Sequence, residues 1–166
     1  MAKVVYKVGD DVSTDIIYPG RFMATVLPSE TPQYAFADSP EFNARIKSGE
    51  FPPQSIIVAG KNFGCGSSRE QAASCLKGPD FVVVARNFSR IFMQNAINLG
   101  LKMVICPTIE TNEGDELEIT ADQVVNKNSG KIFPVIPMPK ARQAIIDAGG
   151  LIPFARQLVV EAQGKG

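Results

Sequence analysis

Between residues 55 and 106 the chain alternates between strand-like and helix-like segments, and this constrains its fold more than any other feature. Residues 55–59, 81–85 and 101–106 are short apolar runs of strand length. Between them, residues 71–77 are compatible with a helix. Residues 88–99 have helical spacing, with Phe88, Ile91, Phe92 and Ala96 on one face and Gly100 placed to cap the end. Apolar strands separated by helices define an α/β fold, because strands buried on both faces need helices to cover them. Residues 3–8 read as a first strand, and residues 9–15 as a turn rich in Asp, Ser and Thr. Residues 16–20 read as extended, turning at Pro19 and Gly20. Residues 27–40, with Pro28, Pro32 and Pro40, read as a loop or lid, and 41–46 as a short helix. Two strands near 116–119 and 131–135, joined by a turn over 126–130, add antiparallel character before helical pattern returns at 140–148 and 153–162. No repeat or boundary interrupts the chain, so its 166 residues are expected to form one domain over 1–166.

Within this frame, residues 60–70 (Gly-Lys-Asn-Phe-Gly-Cys-Gly-Ser-Ser-Arg-Glu) carry the chemistry. Gly60, Gly64 and Gly66 let the backbone approach a ligand closely. Ser67 and Ser68 fall where a helix presents unpaired N–H groups and the positive end of its dipole. Arg69 adds a planar fork suited to carboxylate or phosphate. The pattern fits an anion held beside two hydroxyls. A purely structural reading stays open, since Ser67 and Glu70 have capping-box spacing. The run lacks the Gly-Lys-Ser/Thr ending of a nucleotide-binding loop, and its glycines miss the dinucleotide spacing.

Composition narrows the alternatives. Seventeen basic and seventeen acidic residues give no net charge, which argues against nucleic acid or an anionic membrane as the main partner. No run has the length of a membrane span and no signal-peptide core opens the chain, so a cytoplasmic location is expected. The absence of histidine removes histidine-based triads and most catalytic zinc sites. Cys65, Cys75 and Cys106 show no Cys-x-x-Cys spacing and offer neither a zinc site nor a complete iron–sulfur ligand set. Cys75 and Cys106 read as small core residues; Cys65, inside the glycine run, is also read as packing. Asp10, Asp11 and Asp15 could bind a metal, but a turn uses aspartates routinely and no calcium-loop pattern follows. Arg86 and Arg90 could add anion-binding cations; the alternative is that Asn87 or Ser89 caps the next helix.

Three segments in one order carry a resemblance. They are residues 9–21 (Gly-Asp-Asp-Val-Ser-Thr-Asp, then Ile17 and Pro-Gly-Arg), the whole 60–70 run, and residues 85–100, containing Ala-Arg-Asn-Phe-Ser-Arg-Ile-Phe and Asn-Ala-Ile-Asn-Leu-Gly. With Gly149, Gly150 and Leu151 near the end, the chain resembles the small subunits of isopropylmalate isomerase (3-isopropylmalate dehydratase). These are similar to the swivel domain of aconitase and to homoaconitase small subunits. The resemblance implies a swivelling β/β/α domain over 1–166. It also implies a separate large subunit whose own cysteines bind a four-iron, four-sulfur cluster, with no cofactor or metal bound by this chain. By position, Ser67 becomes the catalytic base that takes the proton beside a substrate carboxylate. Ser68 and Arg69 become carboxylate ligands, Asp15 positions the arginine or serine network, and Arg21 is a substrate or support residue. The implied activity is that of a hydro-lyase of leucine and branched-chain amino acid biosynthesis, active only as a heteromer. Homo-oligomerisation of the isolated chain stays open.

Two positions depart from that family's pattern. Gln71 stands where the family usually has histidine, and glutamine does not titrate. The loop after Arg21 reads Phe22-Met23-Ala24-Thr25 rather than Tyr-Leu-Val-Tyr or Tyr-Leu-Arg-Thr. Ala24 provides no cation for a third carboxylate, and burying that charge unpaired is costly. The departure favours an apolar-branched dicarboxylate over homocitrate. Isopropylmalate fits best, with dimethylmalate and citramalate as alternatives; a non-enzymatic anion- or RNA-binding module is the other class.

Overall fold

The computed structural model describes residues 2–164. Four strands, β1 (Ala2–Lys7), β2 (Ile56–Ala59), β3 (Val82–Ala85) and β4 (Lys102–Ile105), run parallel in the spatial order β4-β3-β2-β1. Three more, β5 (Glu116–Ile119), β6 (Gln123–Asn126) and β7 (Ile132–Pro134), continue the sheet antiparallel from the free edge of β1. Past β7, Ile136 forms an antiparallel bridge to Ile105 of β4. This bridge ties the segment after β7 to β4 at one point, at the far end of the strand order.

Side chains on the parallel strands alternate between two cores. Ile57, Ala59, Val83 and Ala85 point into the larger one, covered by α3 (Glu70–Lys77), α4 (Arg90–Leu99) and α5 (Lys140–Asp147). Ile56, Val58, Val82 and Val84 point the other way, onto Leu117, Val124 and Phe133 of the antiparallel strands. A strand order that follows chain order, with right-handed crossovers, puts the connecting helices on one face. The curled antiparallel part covers the other face. The layers are therefore sheet, sheet and helix, the expected β/β/α arrangement.

Most expected elements are present, with four corrections. Residues 16 and 17 are not extended, nor are 14 and 15 part of a turn. They form a four-residue helix, α1 (Thr14–Ile17), started by Ser13, whose Oγ accepts the Ile16 N–H at 3.2 Å. The 27–40 segment is only partly a loop. Thr31–Tyr34 make a 3₁₀ turn with proline at its start, Thr31, Ala35 and Phe36 are buried, and α2 (Pro40–Lys47) also begins on proline. β6 lies between the two strands expected near 116–119 and 131–135, so the turn over 126–130 joins β6 to β7. Ile91 is 51% exposed, and Ile97 takes the core position with Phe92 and Ala96. α6 (Leu151–Gly164) leaves the body of the protein with Ile152, Leu158, Val159 and Val160 exposed. Among the described residues no helix is long and apolar enough to cross a membrane.

Candidate active site

The loops following β1, β2 and β3 meet at the carboxyl ends of the parallel strands, the usual place for a ligand in an α/β sheet. Backbone bonds lace them together. Asp11 N–H donates to Lys61 O at 2.8 Å, Gly64 N–H to Val12 O at 2.8 Å, and Thr14 N–H to Cys65 O at 2.8 Å. On the other side, Phe63 N–H donates to Asn87 O at 3.2 Å and Ser89 N–H to Phe63 O at 2.9 Å. Gly64 has φ +83, and a Cβ there would lie 2.2 Å from Cγ of Phe92. The glycine is required by both conformation and space.

Ser67 does not cap α3. The helix begins at Glu70 with Arg69 as its N-cap residue, and no side-chain cap bond forms. Ser67 is instead held by its backbone: its carbonyl accepts from Thr14 Oγ1 at 2.9 Å and from Arg69 N–H at 2.9 Å. Its hydroxyl, on an exposed residue, has only a long 3.5 Å approach to Thr14 Oγ1. Among the described residues, the amides of Gly66, Ser67 and Ser68 donate to no acceptor. Consecutive free amides on a turn of this kind form a concavity that favours an anion. Ser68 is exposed and makes no side-chain hydrogen bond among the described residues.

Arg69 is the anchored cation. Its Nη1 donates to Asp15 Oδ1 at 2.6 Å and to Tyr18 O at 3.2 Å, and its side chain is 19% exposed against 65% for Asp15. Nη2 and Nε carry no bond among the described residues, leaving one edge of the guanidinium for a ligand. Asp15 also accepts the Gly20 N–H at 2.9 Å. The hydrogen bond from Arg69, then that from Gly20, holds its carboxyl below the ordinary aspartate value. Asp15, Ser67 and Arg69 therefore lie in one network. Arg21 does not join it directly. It pairs with Asp38 at 2.6 Å and lies over the Phe22 ring, 4.6 Å from its centre. Gln71 is buried, and its Nε2 donates to Met23 O at 3.2 Å.

The remaining polar candidates have local partners. Asp10 Oδ1 accepts Lys61 N–H at 2.7 Å, and Asp11 Oδ1 accepts Asn62 Nδ2 at 3.0 Å. Neither Asn87 nor Ser89 makes a side-chain cap; Asn87 Oδ1 instead accepts the Asn62 N–H. Among the described residues no group of three His, Cys, Asp or Glu could hold a metal. Burial raises the Cys75 thiol well above its ordinary pKa and the Cys106 thiol to about 11. Cys65 is half-buried. Sequence reasoning missed Thr14, Asp38 and Tyr18. Thr14 precedes Asp15 in the same motif and could have been flagged, whereas Asp38 and Tyr18 act through tertiary contacts with no local signal.

Comparison with known proteins identifies the family. Residues 11–107 match the family described as the aconitase C-terminal domain. A 3-isopropylmalate dehydratase small subunit from Methanosarcina mazei is 42% identical, over 94% of this chain and 96% of the relative. An isopropylmalate/citramalate isomerase small subunit from Methanocaldococcus jannaschii is 40% identical, over 96% and 95%. The crystal structure of 3-isopropylmalate dehydratase from Methanocaldococcus jannaschii superposes with a TM-score of 0.87 at 38% identity, over 99% of this chain and 98% of that one. The chain belongs to the aconitase C-terminal domain family and, within it, to the 3-isopropylmalate dehydratase small subunits.

Proposed function

We propose that this chain is the small subunit of a hydro-lyase that interconverts 2- and 3-isopropylmalate by dehydration and rehydration, working with a large subunit. The observation that carries the reading is the turn over 66–69, where an exposed serine hydroxyl, three free amides and one free guanidinium edge share a surface. The free edge of Arg69, steadied from behind by Asp15 and Tyr18 O, suits a two-point grip on a substrate carboxylate. Ser68 is the second carboxylate contact, and Arg21, tied to Asp38, supports the loop that follows it. Ser67 takes the proton from the carbon beside the carboxylate as hydroxide leaves the neighbouring carbon, giving the unsaturated diacid. Water then adds with its hydroxyl on the other carbon. A free serine is far too weak a base for this. The amides of Gly66, Ser67 and Ser68 and the amino end of α3 supply the positive field that its alkoxide needs.

The cysteines of this chain do not fit an iron–sulfur cluster. Cys75 and Cys106 lie buried in separate cores, and only Cys65 reaches the site turn. Lewis-acid help for the departing hydroxyl is assigned to a four-iron, four-sulfur cluster on the large subunit. Beside the site, Met23, Ala24, Val26 and Leu27 present an exposed apolar and small surface that matches an alkyl branch. Citramalate is the second reading, favoured by the name of the Methanocaldococcus jannaschii relative.

The test is an anaerobic assay of this chain mixed with its cluster-loaded large subunit. Turnover of isopropylmalate only when both chains are present supports the proposal. Preference for citramalate moves the enzyme to the second reading. No turnover of either, with both chains folded and the cluster intact, overturns both.

A further inference from the structure

The loop after Arg21 is held by two side chains that reach it from the core. Tyr18, fully buried, directs its hydroxyl at two loop carbonyls, Phe22 O at 2.9 Å and Thr25 O at 3.2 Å. Gln71, 8% exposed, donates its amide to the carbonyl between them, Met23 O at 3.2 Å. The Phe22 ring stacks on Tyr34 with centres 4.1 Å apart. With the carbonyls of Phe22, Met23 and Thr25 drawn inward, Met23, Ala24 and Val26 stay exposed. The backbone bonds of the loop are local turns, Phe22 N–H to Pro19 O, Met23 N–H to Gly20 O and Thr25 N–H to Phe22 O, so its attachment to the core depends on these side-chain hydrogen bonds.

Gln71 differs from Tyr18 in what it connects. It sits in the first turn of α3, two residues after Arg69 and four after Ser67. Its amide therefore links the helix that begins at the carboxylate-binding turn to the loop carrying the apolar surface. Asp15 and Tyr18 also join Arg69 to this loop, at Gly20 N–H and at the Phe22 and Thr25 carbonyls, but Gln71 is the tie that reaches Met23, in the middle of the exposed surface.

We propose that Gln71 is a positioning residue for substrate selection. It fixes the loop over 22–25 relative to Arg69, so that a carboxylate and an alkyl branch on one substrate are gripped together. The inference rests on the isopropylmalate reading for its kinetic consequence, but not for its structural one. Because the amide does not titrate, this link holds unchanged across the neutral pH range.

The experiment compares Gln71→Leu, which removes the donor, with Gln71→His, which restores a ring N–H of similar reach. Ser74→Ala is the control: Ser74 lies on the same helix, and its buried bond to Thr31 Oγ1 at 2.8 Å has no part in the site. Hydrogen exchange on the isolated chain is read first. In Gln71→Leu, amides over 23–27 are expected to exchange about tenfold faster while β2 and β3 are unchanged, the size expected for one lost hydrogen bond. In the assembled enzyme, KM for isopropylmalate is expected to rise about tenfold with kcat within about threefold, since uniform binding is lost. Gln71→His should restore both readouts and Ser74→Ala should leave both near wild type. Unchanged loop exchange in Gln71→Leu overturns the proposal, as does a KM rise shared equally with Ser74→Ala. If the wild-type enzyme does not turn over isopropylmalate, the function fails and the exchange readout still decides the role of Gln71.

Discussion

The turn over 60–69 and the loop over 20–30 border the same surface but are held by different means. The turn is laced on both sides by backbone bonds, to residues 9–14 and to residues 87–89, and Gly60 and Gly64 fit against neighbours with no room for a Cβ. The loop has short local turns, such as Met23 N–H to Gly20 O, and otherwise depends on the side chains of Tyr18 and Gln71. Apart from the glycines, backbone lacing does not depend on side-chain identity along the turn, so the groups it carries keep their geometry when other neighbours change. A loop pinned by side chains can change its exposed residues, Met23, Ala24 and Val26, without disturbing the sheet. On the proposed function, the chemistry falls on the backbone-laced element and the choice of substrate on the side-chain-pinned one.

The widest separation between the two regions is expected at Ser67. With Ser67→Ala, kcat should fall by about 10³-fold, the usual size for loss of a positioned proton carrier. Thermal stability and binding to the large subunit should remain near wild type, because the serine carbonyl, not its hydroxyl, holds the turn. Steady-state kinetics and a melting curve decide this; a loss of stability that accounts for the loss of rate would make Ser67 structural. Next in size is Gly64→Ala. A methyl group at φ +83 and 2.2 Å from Phe92 should cost about 2–4 kcal/mol and lower Tm by about 10 °C. In the loop, Ala24→Gly should change Tm by less than about 2 °C. Equal melting shifts at positions 64 and 24 would remove the contrast between rigid turn and adjustable loop.

The fold was legible in the sequence wherever burial on both faces imposed an apolar run. β2 and β3 are of that kind; β4, at the sheet edge, is half-buried but still apolar, and α4 was legible from its spacing and from Gly100, which ends it in the left-handed conformation. What escaped was set by tertiary contact. α1 is four residues long, too short for periodicity, and is stabilised by Thr14 N–H reaching Cys65 O across the site. β6 alternates buried Val124 and Asn126 with half-buried neighbours, and Asn126 reads locally as a turn residue. Prolines 32 and 40 read as loop formers although each opens a helical turn, where a missing N–H costs nothing. For the site, residue types and spacing pointed to Ser67 and Arg69 as candidates, and the family resemblance added Asp15. They could not show that Ser67 leaves the helix uncapped, or that Arg21 turns to Asp38.

Asp15 touches both regions, and its titration tests how firmly they are joined. One oxygen receives Arg69 from the turn and the Gly20 N–H from the start of the loop. These bonds favour the carboxylate, so its folded pKa lies below the unfolded value of 3.8. A depressed pKa contributes its stabilisation fully above the unfolded value and loses it as pH falls through the folded one. The link is therefore expected to be intact throughout the neutral range and to open only below the ordinary aspartate range. Carboxyl NMR on the wild type should give a midpoint under 3.8. In Arg69→Gln the midpoint should move up toward the ordinary aspartate value, most of the way if Arg69 dominates. If it stays low, the Gly20 amide holds Asp15 unaided, and the aspartate belongs to the loop rather than to the turn. That outcome would also change the expected kinetics of Asp15→Asn. Loss of substrate affinity through a loosened Arg69 would give way to loss of loop order, visible as faster exchange over 20–25 with Arg69 undisturbed.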